Sequence, residues 1–530
     1  MEFDFVIVGG GSAGCVLANR LSADPGFTVC LLEAGGEDRN PWIHIPAGYV
    51  KTMVDPSINW LFETKPDAKT NDRAIPVPRG KVLGGSSAIN GMLYVRGQAA
   101  DYDTWAQMGC RGWSYSDVLP YFKRSENREQ GADEYHGTGG PLNVTETTVK
   151  YDTLDKVIQS AGELGYPMNV DYNGADQEGF AYFQVTQRHG RRFSAKNAYL
   201  DPVRHRQNLN VETHAFVQKV IVENGRATGV VINQRGRERT IRAKKEVLLA
   251  AGAIQSPQLL ELSGIGQGEL LRNLGIEVVH NLKGVGENLQ DHYISRVSWR
   301  LSGLDSLNQL TRGPRLMLEA FRFFTRRTGA LTMPAGIICG FVKSRPELEQ
   351  PDLQYHIAHA TFANPHKRVF DKFPGITIGP CQLRPESRGY LHATSPDMTA
   401  KPDIQPNFLA TRTDCEVHVA GLKIGRQLMA TSIMGPHAAQ ELSPGMEAAD
   451  DEALLAHAKA TGATLYHPVG TCKMGTDEMA VVDPSLKVVG LEGLRVVDAS
   501  VMPNLISGNT NAPTMMIAEK ASDMILADAR

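Results

Sequence analysis

The residues whose spacing could do chemistry begin almost at the N-terminus. Gly9, Gly10, Gly11, Ser12, Ala13 and Gly14 follow directly on the apolar run Phe5-Val6-Ile7-Val8, and Glu33 closes the next apolar run. Glycine at position 9 permits a tight turn. Glycine at 11 lets backbone approach a ligand, and glycine at 14 lets a helix pack close on a strand. Ser12 and Ala13 precede that helix, whose N-terminal N–H groups and partial positive charge suit phosphate. The Glu33 carboxylate, with Ala34 beside it, can accept hydrogen bonds from ribose hydroxyls. The pattern predicts a site for the ADP half of a dinucleotide and does not separate NAD from FAD.

The elements that must hold these residues are legible. Phe3 and residues 5–8 read as a buried strand, 15–21 as a helix and 28–32 as a second strand. A second candidate loop runs Gly80-Lys81-Val82-Leu83-Gly84-Gly85-Ser86-Ser87-Ala88-Ile89-Asn90. Its paired glycines and serines suit close backbone approach to a ligand, the bland alternative being a flexible loop. Val247-Leu248-Leu249-Ala250-Ala251-Gly252 reads as a buried parallel strand ending in small residues, which admit something flat or bulky.

Composition bounds the function classes. The chain has 530 residues, 42% hydrophobic and 21% charged, with a net charge of -3. That is an ordinary globular balance, long enough for several cores. No basic excess points to nucleic acid. Seven scattered cysteines without Cys-x-x-Cys spacing suggest neither a zinc site nor a disulfide framework, and read as reduced cysteines of a cytoplasmic protein. The first strand leaves no room for a signal peptide, and no apolar run approaches the ~20 residues that span a bilayer. Peripheral membrane contact stays open.

Residues 41–78 read as an extended surface excursion, and 152–165 as an amphipathic helix. Residues 209–217, 219–223, 227–233 and 237–242 alternate as antiparallel strands. From residue 293 the character changes: 353–362, 375–383 and 389–394 read as strands, 413–434 as a helix capped by Thr413, and 450–460 as another. Residues 494–499 read as a strand. A final helix over 514–526 would be capped by Asn511 or Ala512, with Pro513 in its first turn.

Three blocks carry a resemblance. They are residues 80–103, with Gly84-Gly85-Ser86-Ser87, Asn90, Tyr94 and Gly97; residues 252–266, with Gly252-Ala253-Ile254-Gln255-Ser256-Pro257; and Gly284-Val285-Gly286-Glu287-Asn288-Leu289-Gln290-Asp291-His292. On these, nearly the whole chain resembles the glucose–methanol–choline oxidoreductases, near the choline-dehydrogenase-like alcohol dehydrogenases and the hydroxymethylfurfural and aryl-alcohol oxidases. The resemblance implies an α/β fold, α+β overall. A discontinuous Rossmann-like FAD domain of glutathione-reductase type (1–155, 211–292 and 462–530) would join a substrate domain with an antiparallel sheet flanked by helices (156–210 and 293–461). It implies FAD and oxidation of a primary alcohol, with oxygen or a quinone-like compound as acceptor.

Carried over by position, the family's active-site histidine falls on His467 and its second active-site residue on Asn511, with Tyr466 lining the pocket. The cofactor would meet Gly9, Gly11, Ser12, Ala13, Gly14, Glu33 and Ala34, then Val82, Gly85, Ser87, Asn90, Gly91, Met92 and Leu93. Val217, Ala251, Asp498, Ala499, Asn511 and Thr514 complete the set. Ile89 stands where some members carry a histidine bonded to the flavin, so the FAD is expected to be non-covalent. Two competitors remain: a non-redox or unusual relative (hydroxynitrile lyase or light-driven fatty-acid decarboxylase), and an NAD-linked Rossmann enzyme. No metal site is expected.

Overall fold

The computed structural model describes residues 1–364 and 369–530. The opening unit forms as its glycines require. Glu2–Val8 is a strand, Ser12–Leu21 a helix, and Val29–Leu32 a parallel strand that sets Cys30 beside Val6 and Leu32 beside Val8. Gly9 lies at φ +103°, and a Cβ there would stand 2.5 Å from the Ala250 carbonyl oxygen. At Gly14 a Cβ would stand 1.8 Å from the Gly9 oxygen. Neither position has room for a side chain, so the helix can start hard against the strand.

Around this unit the first sheet runs Leu209–Glu212, Val29–Leu32, Glu2–Val8, Arg237–Leu249, Arg226–Gln234, Ala215–Glu223, with Leu494–Val496 also pairing with Arg237–Leu249. Arg237–Leu249 is one strand where the sequence suggests two. Its first half pairs antiparallel with Arg226–Gln234, and its second half lies parallel to Leu494–Val496. The polar run Lys244-Lys245-Glu246 hides this continuity from a hydropathy reading, although pairing to Glu2–Val8 resumes after one register shift. Conversely, the strand expected over 209–217 is two. His214, at φ +55°, turns the chain between a parallel piece and an antiparallel one.

The second sheet is antiparallel and runs Ala438–Ser443, Val297–Leu301, Gly375–Gln382, Leu353–Ala358, Ile338–Val342, Gly179–Tyr182. Tyr293–Ile294 joins it at Gly375–Gln382 and carries Ala463–Thr464 on its other side. Helix Arg412–Ala430 covers this sheet closely: a Cβ on Gly421 would lie 2.7 Å from Pro380, and the Tyr355 hydroxyl donates to the Gly421 carbonyl at 2.7 Å. Each sheet has its own apolar core, one around Val6, Leu31 and Leu248, the other around Ile357, Ile378 and Leu422.

Several expectations need correction. The helix after residue 410 is capped by Thr411, whose hydroxyl accepts from the Asp414 N–H, and not by Thr413. Asn511 opens the last helix, Asn511–Ala529, instead of capping it; Thr510 holds the cap position without a side-chain bond. Residues 41–78 contain short turns of helix, Pro41–His44, Pro46–Gly48 and Tyr49–Thr52, where an extended excursion is expected. The segment break expected at 210/211 falls inside the strand Leu209–Glu212. Helix Gly313–Arg326 has no counterpart in the sequence reading.

Candidate active site

His467 is brought to its neighbours by two chain segments running antiparallel. The Gln290 N–H donates to Val469 at 3.1 Å, the Val469 N–H to Gln290 at 2.9 Å, and the Leu465 N–H to His292 at 2.8 Å. Asp291 fixes the bend. Its carboxylate accepts from the Thr464 hydroxyl and, at 2.8 Å, from the His467 N–H. Burial outweighs these bonds and pushes the Asp291 carboxyl up to about 6. Tyr466, half-buried at φ +70°, gives its carbonyl to the Arg79 guanidinium at 2.5 Å.

A single chain of hydrogen bonds assigns the protons. The His292 Nε2 lies 3.0 Å from the Leu383 carbonyl, which can only accept, so Nε2 carries the hydrogen. Burial holds His292 down to about 4, so it is neutral and its Nδ1 is an acceptor. That Nδ1 lies 3.0 Å from the His467 Nδ1, which must therefore donate. The remaining nitrogen of His467, Nε2, keeps its lone pair. It faces the Asn509 Nδ2 at 3.1 Å. The Asn509 amide is oriented in turn by Gln354, whose Nε2 donates to the Asn509 Oδ1 at 3.2 Å. Burial, then His292, His356 and Arg79, hold the His467 imidazole well below its ordinary pKa. The arrangement presents a neutral imidazole with a basic Nε2 beside an amide donor, a pair suited to taking a proton from one oxygen and stabilising the charge left on it.

The residue beside His467 is thus Asn509, whereas the expectation is placed on Asn511. The Asn511 Oδ1 instead accepts from the Ser12 hydroxyl at 2.7 Å. Asn509 lies before the cap residue Thr510 and Asn511 is the first residue of the helix, and their side chains reach His467 and the glycine loop respectively. Asn511 and Ser12 thereby join the N-termini of the first and last helices. Thr514, one turn further, donates to the Thr510 carbonyl at 2.7 Å.

Two of the loops expected around a cofactor lie against each other. A Cβ on Gly11 would meet, among the described residues, only the Gly85 Cα at 3.8 Å, so this backbone faces open space. Gly85 itself, at φ +52°, comes so close that its own Cβ would lie 2.6 Å from the Gly11 Cα. The Gly84 N–H donates to the Gly10 carbonyl at 2.8 Å, so the two glycine loops stack. Glu33 takes the N–H groups of Gly10 at 2.9 Å and Gly35 at 2.7 Å; burial nonetheless raises its carboxyl to about 7. Ala34 lines a cleft of about 560 Å³ with Trp60, His214, Phe216 and Gln218, and the buried Gln218 Oε1 has no hydrogen-bond partner among the described residues. Val217 lies between two of these residues with its own side chain buried. Ile89 packs with Ile43, Ile58, Val82 and Ala88.

Some of these side chains are committed to the protein. The Asp498 Oδ2 accepts from the Gly252 N–H at 2.8 Å and the Ser256 hydroxyl at 2.6 Å, and its Oδ1 accepts from the Ser500 N–H at 2.8 Å and hydroxyl at 2.6 Å. Four donors occupy this carboxylate, leaving backbone for any other contact at Asp498 and Ala499. Ala251 sits at the cap of helix Gly252–Leu262. The Ser87 hydroxyl donates to the Gly84 carbonyl at 2.5 Å and accepts from the Ala195 N–H at 3.0 Å. The Asn90 Oδ1 accepts from the Met92 N–H at 3.0 Å and from Arg192 at 2.7 Å. Gly91 packs on Ala335, whose Cβ would lie 2.7 Å from a Cβ there, and Leu93 lies near Gly336.

Sequence reasoning assigns no role to Asn509, nor to four further residues here. His292 ends a quoted block, yet nothing local says which way its ring points. Gln354 and His356 share one face of the strand Leu353–Ala358; the buried Gln354 Oε1 and His356 Nε2 have no partner among the described residues. Arg192 is buried among carbonyls of Ile43, Ser87 and Asn90, which lowers its pKa to about 9.

Models of the GMC oxidoreductase family match residues 3–294 and 385–518. The chain is 42% identical over 528 residues to the alcohol dehydrogenase [acceptor] of Pseudomonas putida, covering 99% of this chain and 96% of that one. It is 42% identical over 536 residues to the mitochondrial choline dehydrogenase of Homo sapiens, covering 99% and 90%. A crystal structure of pyridoxine 4-oxidase from Mesorbium loti superposes with a TM-score of 0.89 at 30% identity, covering 98% of both chains.

Proposed function

The chain belongs to the GMC oxidoreductase family, and from that premise we propose that it oxidises a primary alcohol to the aldehyde with non-covalent FAD as its cofactor. The similar proteins are an alcohol dehydrogenase and a choline dehydrogenase, which favours alcohol oxidation over a lyase, a decarboxylase or an NAD-linked enzyme. The residues present suit FAD. Open space lies over the Gly11 backbone, and the cleft beside Ala34 contains an unsatisfied Gln218 oxygen. Gly9 to Gly14 would hold the pyrophosphate, Glu33 the ribose, the backbone around Val217 the adenine, and Asn90 to Leu93 the flavin ring. Buried apolar Ile89 offers no nucleophile for a covalent link.

The observation that carries the reaction is the lone pair on the His467 Nε2, held opposite the Asn509 Nδ2. When bound, FAD supplies the acceptor that takes a hydride from the carbinol carbon at N5. The His467 Nε2 takes the hydroxyl proton, and the Asn509 Nδ2–H donates to the oxygen as negative charge develops there. His292 keeps His467 in the productive tautomer. Removal of one proton and one hydride from the CH–OH group leaves the aldehyde.

Gln354 and His356 would meet the rest of the substrate, since their unpartnered polar atoms are buried on the strand that orients Asn509. Asp291, the acid nearest His467, is already bonded to Thr464 and to backbone. A quaternary ammonium needs a free carboxylate or an aromatic cage. With the Asp291 carboxylate engaged, uncharged primary alcohols are the substrate class proposed. The test is anaerobic stopped-flow bleaching of the flavin over a panel of aliphatic and aromatic alcohols and choline. Rapid bleaching by uncharged alcohols supports the reading. Faster bleaching by choline refutes the substrate class, and turnover without bleaching refutes alcohol oxidation. His467→Ala should stay yellow and reduce by ~10²–10⁴ more slowly.

A further inference from the structure

One helix carries its amphipathic pattern with the apolar side turned outward. In Gly313–Arg326 the side chains turned inward include Glu319 and Phe323, 3% and 2% exposed, whereas Met317, Phe321 and Phe324 are 75%, 62% and 64% exposed. Spacings of four and three residues put these last three on one face. Leu316 and Leu318, also exposed, widen the stripe. A contiguous group of large apolar side chains in water is a different matter from scattered single ones.

Arginines frame the stripe. Residues 312–327 contain Arg312, Arg315, Arg322, Arg326 and Arg327 against one acid, Glu319. The Glu319 carboxylate is turned inward and accepts from the Ala330 N–H and from Arg322, each at 2.7 Å. Arg315 and Arg326 are exposed and have no partner among the described residues. Arg312 donates to the Phe370 carbonyl at 2.6 Å, which brings exposed Val369 beside the start of the helix.

We propose that this face docks on the surface of an anionic lipid bilayer. Phe321, Phe324 and Met317 would enter the headgroup–acyl boundary, and the arginines would pair with anionic headgroups while their stems cover apolar surface. Charge decides against a second copy of the chain. A two-fold contact through this face would set arginines against arginines. No helix among the described residues is long and apolar enough to cross a membrane, so the contact is interfacial. The helix leads through the turn Ala330–Thr332 to Ala335, which packs on Gly91, so docking turns that side of the molecule toward the bilayer. The proposal is independent of the role given to His467.

The test is co-sedimentation of the holoenzyme with phosphatidylcholine vesicles, with and without phosphatidylglycerol, at low and high salt. Binding should need the anionic lipid and weaken in salt. The variant Phe321→Ser/Phe324→Ser and, separately, Arg315→Glu/Arg326→Glu should each reduce the bound fraction by about tenfold or more. Both should keep wild-type flavin content and melting temperature, since these side chains face solvent. Absence of binding to either vesicle, or equal binding by wild type and both variants, overturns the proposal. So does a concentration-dependent dimer, without vesicle binding, that Phe321→Ser/Phe324→Ser dissolves.

Discussion

His292 and His467 face each other Nδ1 to Nδ1 at 3.0 Å, and that contact admits one proton. The Leu383 carbonyl places it on His467, because it claims the only hydrogen of His292. His292→Phe keeps the bulk and removes the acceptor. Flavin reduction by a good alcohol should slow, by no more than the ~10²–10⁴ expected for losing the base itself. The pH profile separates this role from simple packing. In wild type the imidazole is held well below its ordinary value, so the rate should hold as pH falls through 6.5 and drop only further down. Losing the neutral acceptor that bonds the His467 Nδ1–H should displace the acid limb. An unmoved limb would assign His292 to packing alone.

Asn509 and Asn511 bond to different partners, His467 and Ser12, and should separate cleanly. Asn509→Ala removes the donor proposed for the substrate oxygen and should slow flavin reduction by ~10²–10³. It should not compound fully with His467→Ala, because both residues act on one oxygen. Asn511→Ala should leave the reduction rate within a few-fold. It strips the partner from the Ser12 hydroxyl and should cost ~1 kcal/mol of stability, read by denaturant unfolding. Equal kinetic damage in both variants would return Asn511 to the reaction.

The two glycines of the opening loop predict different failures. A side chain at Gly11 meets little protein and projects into the space expected for pyrophosphate. Gly11→Val should fold and purify colourless. At Gly14 a Cβ collides with the Gly9 carbonyl at 1.8 Å, so Gly14→Val should fail to give soluble folded protein at all. In wild type, acid precipitation should release yellow FAD to the supernatant. A yellow Gly11→Val protein or a yellow wild-type pellet would contradict these readings.

His392 gives a stability prediction on the alkaline side. Burial works against its charge, but bonds to Glu261 at 2.7 Å and Glu287 at 3.2 Å outweigh it and raise the imidazole to about 9. A raised histidine pKa stabilises the fold fully below its unfolded value of ~6.5, and the gain is lost as pH rises through the folded value. Unfolding free energy should therefore decline between pH ~6.5 and about 9, by on the order of 3 kcal/mol from this group. His392→Gln should flatten that slope in pH-dependent denaturant melts. An unchanged slope would show that the ion pair contributes little.

By itself the sequence determined the parts whose geometry is local. Gly9, Gly14 and the apolar runs around them specify a strand, a tight turn and a helix, because backbone clearance and hydrophobic period act over a few residues. Only the tertiary structure decided which asparagine meets His467. Asn509 and Asn511 both stand in Asn-Thr-Asn before Ala512-Pro513, and spacing cannot tell which one faces across to a strand more than 150 residues away in the chain. The same holds for His292, Gln354 and His356. Their roles come from the crossing of segments remote in sequence, where a carbonyl at Leu383 sets a proton on His467 through a ring between them. The outward face of Gly313–Arg326 shows the converse: its period is local, but whether an apolar stripe meets a core or water is settled by what the rest of the chain packs against it.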